Sequence, residues 1–167
     1  DFTNLSDPSD VNSMSGREFG GTFTNVDLSG ANLKRSSMGG LNLAESTVNL
    51  TNANLTYVSF EGGHLEGVNL SGFDLTGVSF YFAHLAGANL AGATLNSGSL
   101  GFADATGVDF TNASMHQTYL NYANLRNANL TGADIVTGYK NVSNWTNTIC
   151  QDGVRANVSP HSGSCPL

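Results

Sequence analysis

The chain has 167 residues, 11% of them charged, with a formal net charge of −7 at neutral pH. That is the length of one domain, carrying less than half of the roughly 25% charge of an ordinary one, and its acidic balance argues against direct nucleic-acid binding. No apolar run approaches the roughly 18 residues that would cross a membrane, so no membrane insertion is expected. The polar surface must be made of Asn, Ser, Thr and Gly. The chain begins at Asp1 and shows no signal peptide, so a processed or trimmed form is expected.

Residues 1–22 have no period. Asp7 at an N-cap, Pro8 at the first helical position and Gly16 near the end predict a short helix. Such a helix would cap the first turn of whatever follows, covering an edge that otherwise invites end-to-end association. From Phe23 a period of five begins and runs through Leu28, Leu33, Met38 and Leu43, with Val26, Ala31, Ser36 and Leu41 two residues before each of the last four. Between Leu43 and Leu50 the step is seven, so residues 44–47 hold two extra residues. A register slip would turn inward residues outward; the expectation is therefore a tolerated bulge or loop that leaves the stack otherwise intact.

Over residues 48–137 the period is unbroken, and after Ile135 it fades through Gly138 and Tyr139. Its large positions are Leu50, Leu55, Phe60, Leu65, Leu70, Leu75, Phe80, Leu85, Leu90, Leu95, Leu100, Ala105, Phe110, Met115, Leu120, Leu125, Leu130 and Ile135. Only Ala105 there is not bulky. Two residues before each stands a small residue, and only Phe73 breaks that rule. A period of five fits neither a helix nor a continuing flat strand. Within a unit, however, the small and large residues are two apart and share one side of an extended stretch. If each unit makes one side and one corner, about four units and twenty residues close a coil whose interior Leu and Ala fill, a narrow solenoid.

The commonest unit, Ala-Asn-Leu-Thr-Gly at residues 128–132, resembles the repeat of the pentapeptide-repeat family: a small residue, Asn or Asp, Leu or Phe, Ser or Thr, then Gly. The resemblance implies an all-β solenoid, a right-handed four-sided parallel β-helix with Leu, Phe and the small residue pointing inward. The expected organisation is a cap over 1–22, the solenoid over 23–139, and a C-terminal cap and tail over 140–167.

With twenty residues per coil, positions twenty apart lie above one another at about 4.8 Å. Asn49, Asn69, Asn89, Asp109 and Asn129 form one such column, expected to bond along the stack as Asn ladders do. One side differs from the rest. Its corner position holds Gly62, then Phe82, Phe102 and Tyr122, with Tyr81 beside Phe82, and its outward position holds His64, His84, Asp104 and Asn124. Stacked aromatics at outward corners make an apolar stripe of the kind that marks an interaction site when exposed; bulky corner residues lying flat on the coil are the plainer alternative. His64, His84 and Asp104 have metal-ligand chemistry, but ligands projecting from one flat wall do not converge tetrahedrally. No metal site is expected.

The tail carries Trp145, expected with Ile149 to cover the last coil, and both cysteines. Cys150 and Cys165 could close a loop worth about 3 kcal/mol by chain entropy, or stand as two reduced thiols. A bridge would indicate an oxidising compartment. Residues 144–153, Asn-Trp-Thr-Asn-Thr-Ile-Cys-Gln-Asp-Gly, resemble the ends of exported cyanobacterial pentapeptide-repeat proteins. The resemblance implies the periplasm or thylakoid lumen.

A filled solenoid offers no concave catalytic site, and no phosphate loop, Gly-x-Ser-x-Gly or His-Glu-x-x-His is present. No enzyme activity, catalytic residue or cofactor is expected. Some proteins of this family act on DNA gyrase by resembling DNA. Here residues 48–139 hold six acids against Arg126 alone, net −5, whereas duplex DNA of the same length, about 22 Å, carries about 13 negative charges. The expected role is therefore a structural or protein-interaction module whose partner is another protein, monomeric because both ends look capped; a DNA-mimic inhibitor of a type II topoisomerase is the alternative.

Overall fold

The computed structural model describes residues 23, 25–44, 48–135, 144–153 and 165. The helix expected near Asp7 and the extra residues at 45–47 lie outside them. The described chain is a solenoid whose consecutive coils pair in parallel, as in the runs Ser59, Ser79, Ser99, Tyr119 and His64, His84, Asp104, Asn124.

One pentad shows why the period of five holds. Asn89 N–H donates to Val68 O below (2.9 Å), Leu90 N–H to Asp109 O above (2.8 Å) and Gly92 N–H to Thr111 O above (2.8 Å), while Ala93 N–H closes the corner onto Leu90 O (3.1 Å). The remaining N–H, of Ala91, donates to Asn89 Oδ1 at 3.0 Å. Every backbone donor is thereby satisfied, the condition for a buried ladder. The corner requires one residue in the left-handed region, here Gly92 at φ 66°, where glycine carries no Cβ penalty.

The Asn column works differently from the expected ladder. Asn49, Asn69, Asn89, Asp109 and Asn129 each turn Oδ1 onto the N–H two residues ahead. That local bond is an Asx turn, and it wins because the acceptor is already within reach before coils stack. Bonds from one coil to the next supplement it, as where Asn129 Nδ2 donates to Thr111 Oγ1 (2.9 Å).

Inside, Phe60, Phe80 and Phe110 and the Leu columns from Leu55 to Leu130 are fully buried, and Ile135 nearly so. Each such side chain contributes about 1.5–3 kcal/mol by leaving water. Leu50 is the exception among the large positions from Leu28 to Ile135: it is only partly buried.

Its exposure marks a break. The first coil, residues 25–44, pairs with the second, 48–67, at a spacing set by Asp27 with Asn49 and Asn42 with His64, two residues longer than the spacing of Ser59 with Ser79. The two extra residues are absorbed there. The stack nevertheless does not stay intact, because bridges between Asn49 and Asn69 and between Asn54 and Asp74 are missing from the series. Phe73 supplies the reason. It stands in the small column otherwise filled by the buried Ala53, Ala93, Ala113 and Ala133, and a ring where a methyl fits forces its surroundings apart.

Coil geometry is also present at residues 144–153, beyond the point where the sequence pattern fades. Asn144 pairs with Asn124 and Ile149 with Asn129. Trp145 and Cys150 thereby occupy large inward positions, Trp145 partly buried and Cys150 fully. Ile149 lies on the outward register rather than over the core. Cys150 is bonded to Cys165, with a Cα–Cα distance of 5.3 Å.

A candidate interaction surface

The aromatic stripe follows from coil spacing. Phe82, Phe102 and Tyr122 occupy the same corner of three successive coils, so their rings meet at centroid distances of 5.0 Å and 4.8 Å, each pair inclined by 26°. Tyr81 meets Phe82 edge-on at 4.6 Å and Phe102 at 5.5 Å. Its ring lies over Gly101, where a Cβ would stand 2.9 Å from it. The corner rings remain about half exposed, at 51%, 43% and 53%.

All three corner residues are left-handed, with φ of 57°, 57° and 60°. That conformation costs an L-residue about 1–2 kcal/mol, and ring stacking returns about 0.5–1.5 kcal/mol per pair. Three corners thus cost about 3–6 kcal/mol, and the four ring pairs, the two with Tyr81 included, return about 2–6 kcal/mol. Displaying these rings therefore gains the fold little that a glycine at each corner would not.

The histidine wall departs from the sequence expectation in its third member. His64 and His84 stack face to face at 4.5 Å, 4° from parallel. Asp104 does not join them, because its Oδ1 accepts from Thr106 Oγ1 (2.6 Å) and Asn124 Nδ2 (3.1 Å). Glu66 does, with Oε1 3.2 Å from His64 Nδ1. Among the described residues, His64, Glu66 and His84 bring three ligand atoms within 4.8 Å of one another. The stacked rings place their lone pairs in near-parallel planes, which suits a hydrogen-bonded cluster better than tetrahedral zinc.

Burial would push the Glu66 carboxyl up, but the bond from its own backbone N–H and the hydrogen bond and charge of His64, with the charge of His84, outweigh it, and its pKa lies below the ordinary 4.5. A depressed carboxylate contributes stability that is present above its unfolded pKa and lost as pH falls through the folded one. Glu66→Gln is accordingly expected to lower stability slightly at neutral pH and to flatten the acid limb of the stability curve. An unchanged acid limb in urea unfolding would show that Glu66 adds nothing.

Residues 48–72, 74–112 and 109–136 match the pentapeptide-repeat family profile, in eight copies. The chain belongs to the pentapeptide-repeat family. Similar solved structures include a pentapeptide-repeat protein of the Arabidopsis thaliana thylakoid lumen, 27% identical over 72% of this chain and 63% of that one, with a TM-score of 0.35. HetL of the cyanobacterium Nostoc sp. strain PCC 7120, involved in heterocyst differentiation regulation, is 22% identical over 85% of this chain and 59% of its own, at 0.40. QnrB1, a plasmid-mediated fluoroquinolone resistance protein, is 20% identical over 81% and 70%, at 0.46. The chain thus spans less than two thirds of the Arabidopsis and Nostoc structures. No curated protein sequence matches it.

Two features of this pentapeptide-repeat surface escape column reading. Glu66 sits at a corner and reaches back to the wall, and a corner side chain's direction is not set by period. Tyr119, 44% exposed, continues the Ser59, Ser79, Ser99 column; aligning that column to its end reveals it three residues before Tyr122.

Proposed function

We propose that this pentapeptide-repeat solenoid is a non-enzymatic protein-interaction module of an oxidising compartment, and that the stripe of Phe82, Phe102 and Tyr122 is its docking surface. The observation that carries the reading is the half-exposed stack of bulky rings held at left-handed corners. Elsewhere such corners mostly hold Gly or Asn, which tolerate that conformation. Tyr81 stiffens the stack from the side, and pre-positioned aromatics are what interfaces favour as anchors. The bridge between Cys150 and Cys165 supports an oxidising compartment, with the periplasm or thylakoid lumen as the candidates.

The test is a pull-down from periplasmic or lumenal extract with the wild type and the Phe82→Gly/Phe102→Gly double variant as baits. The expected result is a partner held by the wild type and lost by the variant, with unfolding free energies within about 1 kcal/mol. A variant that keeps the partner overturns the reading, and one that loses about 3 kcal/mol or more shows the stripe to be packing. Inhibition of gyrase supercoiling by the purified protein would instead favour the DNA-mimic alternative.

A further inference from the structure

The break beneath Phe73 leaves two facing rows of backbone groups that lack the coil-to-coil bonds made by their counterparts among the described residues. In the neighbouring coils Leu70, Gly72 and Leu75 N–H donate to Asn89, Ala91 and Thr94 O at 2.7–2.9 Å. Their counterparts one coil earlier, the N–H groups of Leu50, Asn52 and Leu55, form no such bond with Asn69, Ser71 and Asp74. The opening ends at Tyr57, whose N–H donates to Thr76 O at 2.8 Å. Between the two lips lies a cavity of about 830 Å³, within the range of about 300–1,000 Å³ usual for ligand sites. Val48, Leu50, Val68 and Phe73 line it and are only partly buried, although their positions are inward ones. Glu66 and Asp74 also line it, and no basic residue does among the described residues. The Glu66 Oε2 atom is buried without a hydrogen-bond partner.

We infer that this cleft receives an extended segment of a partner polypeptide, apolar at alternate positions and carrying Lys or Arg, which pairs with the lips as an added strand. Donors and acceptors alternate along both edges of a strand, so an extended backbone is the ligand that can answer the facing lips along one side of the coil, as far as the corner at Asn52. Alternate side chains would reach the apolar floor, as in strand addition to an open edge. The acidic lining, Glu66 and Asp74, selects a cation for the other face. The site is separate from the aromatic stripe and does not depend on it.

The probe is a fluorescein-labelled peptide, Val-Lys-Leu-Lys-Val-Lys-Leu, titrated with the full chain and followed by anisotropy, beside a Glu-for-Lys version and one carrying a central Pro. The expected result is binding of the Lys peptide only. Phe73→Ala, which restores the small column, should weaken binding at least about tenfold, or about 1.4 kcal/mol, and should slow hydrogen exchange of the Leu50, Asn52 and Leu55 amides. Glu66→Gln should weaken it less and reduce its salt dependence, while Phe82→Gly/Phe102→Gly should leave it unchanged. No binding by the wild type overturns the inference, as does equal binding of the Glu or Pro peptide or of Phe73→Ala. Concentration-dependent dimerisation lost in Phe73→Ala would make a second copy the occupant, and gain of peptide binding only after deletion of residues 1–22 would make it this chain's own N-terminal segment; either replaces the partner.

Discussion

Phe80→Ala is expected to cost about 3–5 kcal/mol, the range for removing a fully buried aromatic side chain. Phe80 has no exposed surface and lies against Phe60, centroid to centroid at 5.5 Å and within 10° of parallel. Its loss would leave a hole in the axis of the solenoid, bounded by Phe60 and the Leu columns. That wall is held by backbone bonds on every side of the coil, so it cannot collapse to fill the space, and the cost should fall near the top of the range. In a structure where each coil touches only its neighbours, the damage should spread no farther than the adjoining coils. Urea unfolding measures the total, and amide exchange locates it. A loss below about 1 kcal/mol would show an interior that repacks freely. The comparison with Phe82 is instructive, since two residues along the chain the same side chain is expected to be removable at almost no cost.

The second large effect is expected at the other end. Opening the bridge between Cys150 and Cys165, 15 residues apart in sequence, should cost about 3 kcal/mol by chain entropy. Cys165→Ala is the better variant, because Cys150 then still fills its inward position. The loss should concentrate in the last coil, where Thr148 is buried and its hydroxyl donates to Leu125 O at 2.5 Å. Thr148 exchange should rise first. Dithiothreitol should bring the wild type down to the stability of the variant and leave the variant unaffected. A wild type indifferent to reductant would show that the tail is held by packing alone.

The interior was legible because the period sets side-chain direction without reference to anything distant. From Leu55 to Leu130, all the large residues and nearly all the small ones point where counting by five puts them. What escaped depended on contacts between coils or on departures from residue type. Trp145 and Cys150 stand on the count, but as Trp and Cys they hid the pattern's continuation to residue 153. Phe73 was visible as an outlier, yet its effect required knowing that the residues in line with it are Ala53 and Ala93. The Asn column was visible as a column, but the choice between bonding along the stack and bonding its own corner turns on a local distance. The stripe at Phe82, Phe102 and Tyr122 could be located by counting; its left-handed backbone and half exposure could not.

The constant separation of twenty residues between paired positions, Ser59 to Ser79 and onward to Asp134, makes the coil interchangeable. Excising or duplicating one complete coil above Tyr57 would bring together two edges with the same donors facing the same acceptors, so no bond type would change and neither end would notice. Length in such a molecule can be edited like the number of storeys in a building, while a change of one or two residues alters the separation of paired positions, as between Asp27 and Asn49 among the described residues. A lineage of these chains can therefore vary its reach in steps of one storey, keeping both its foundation and its roof.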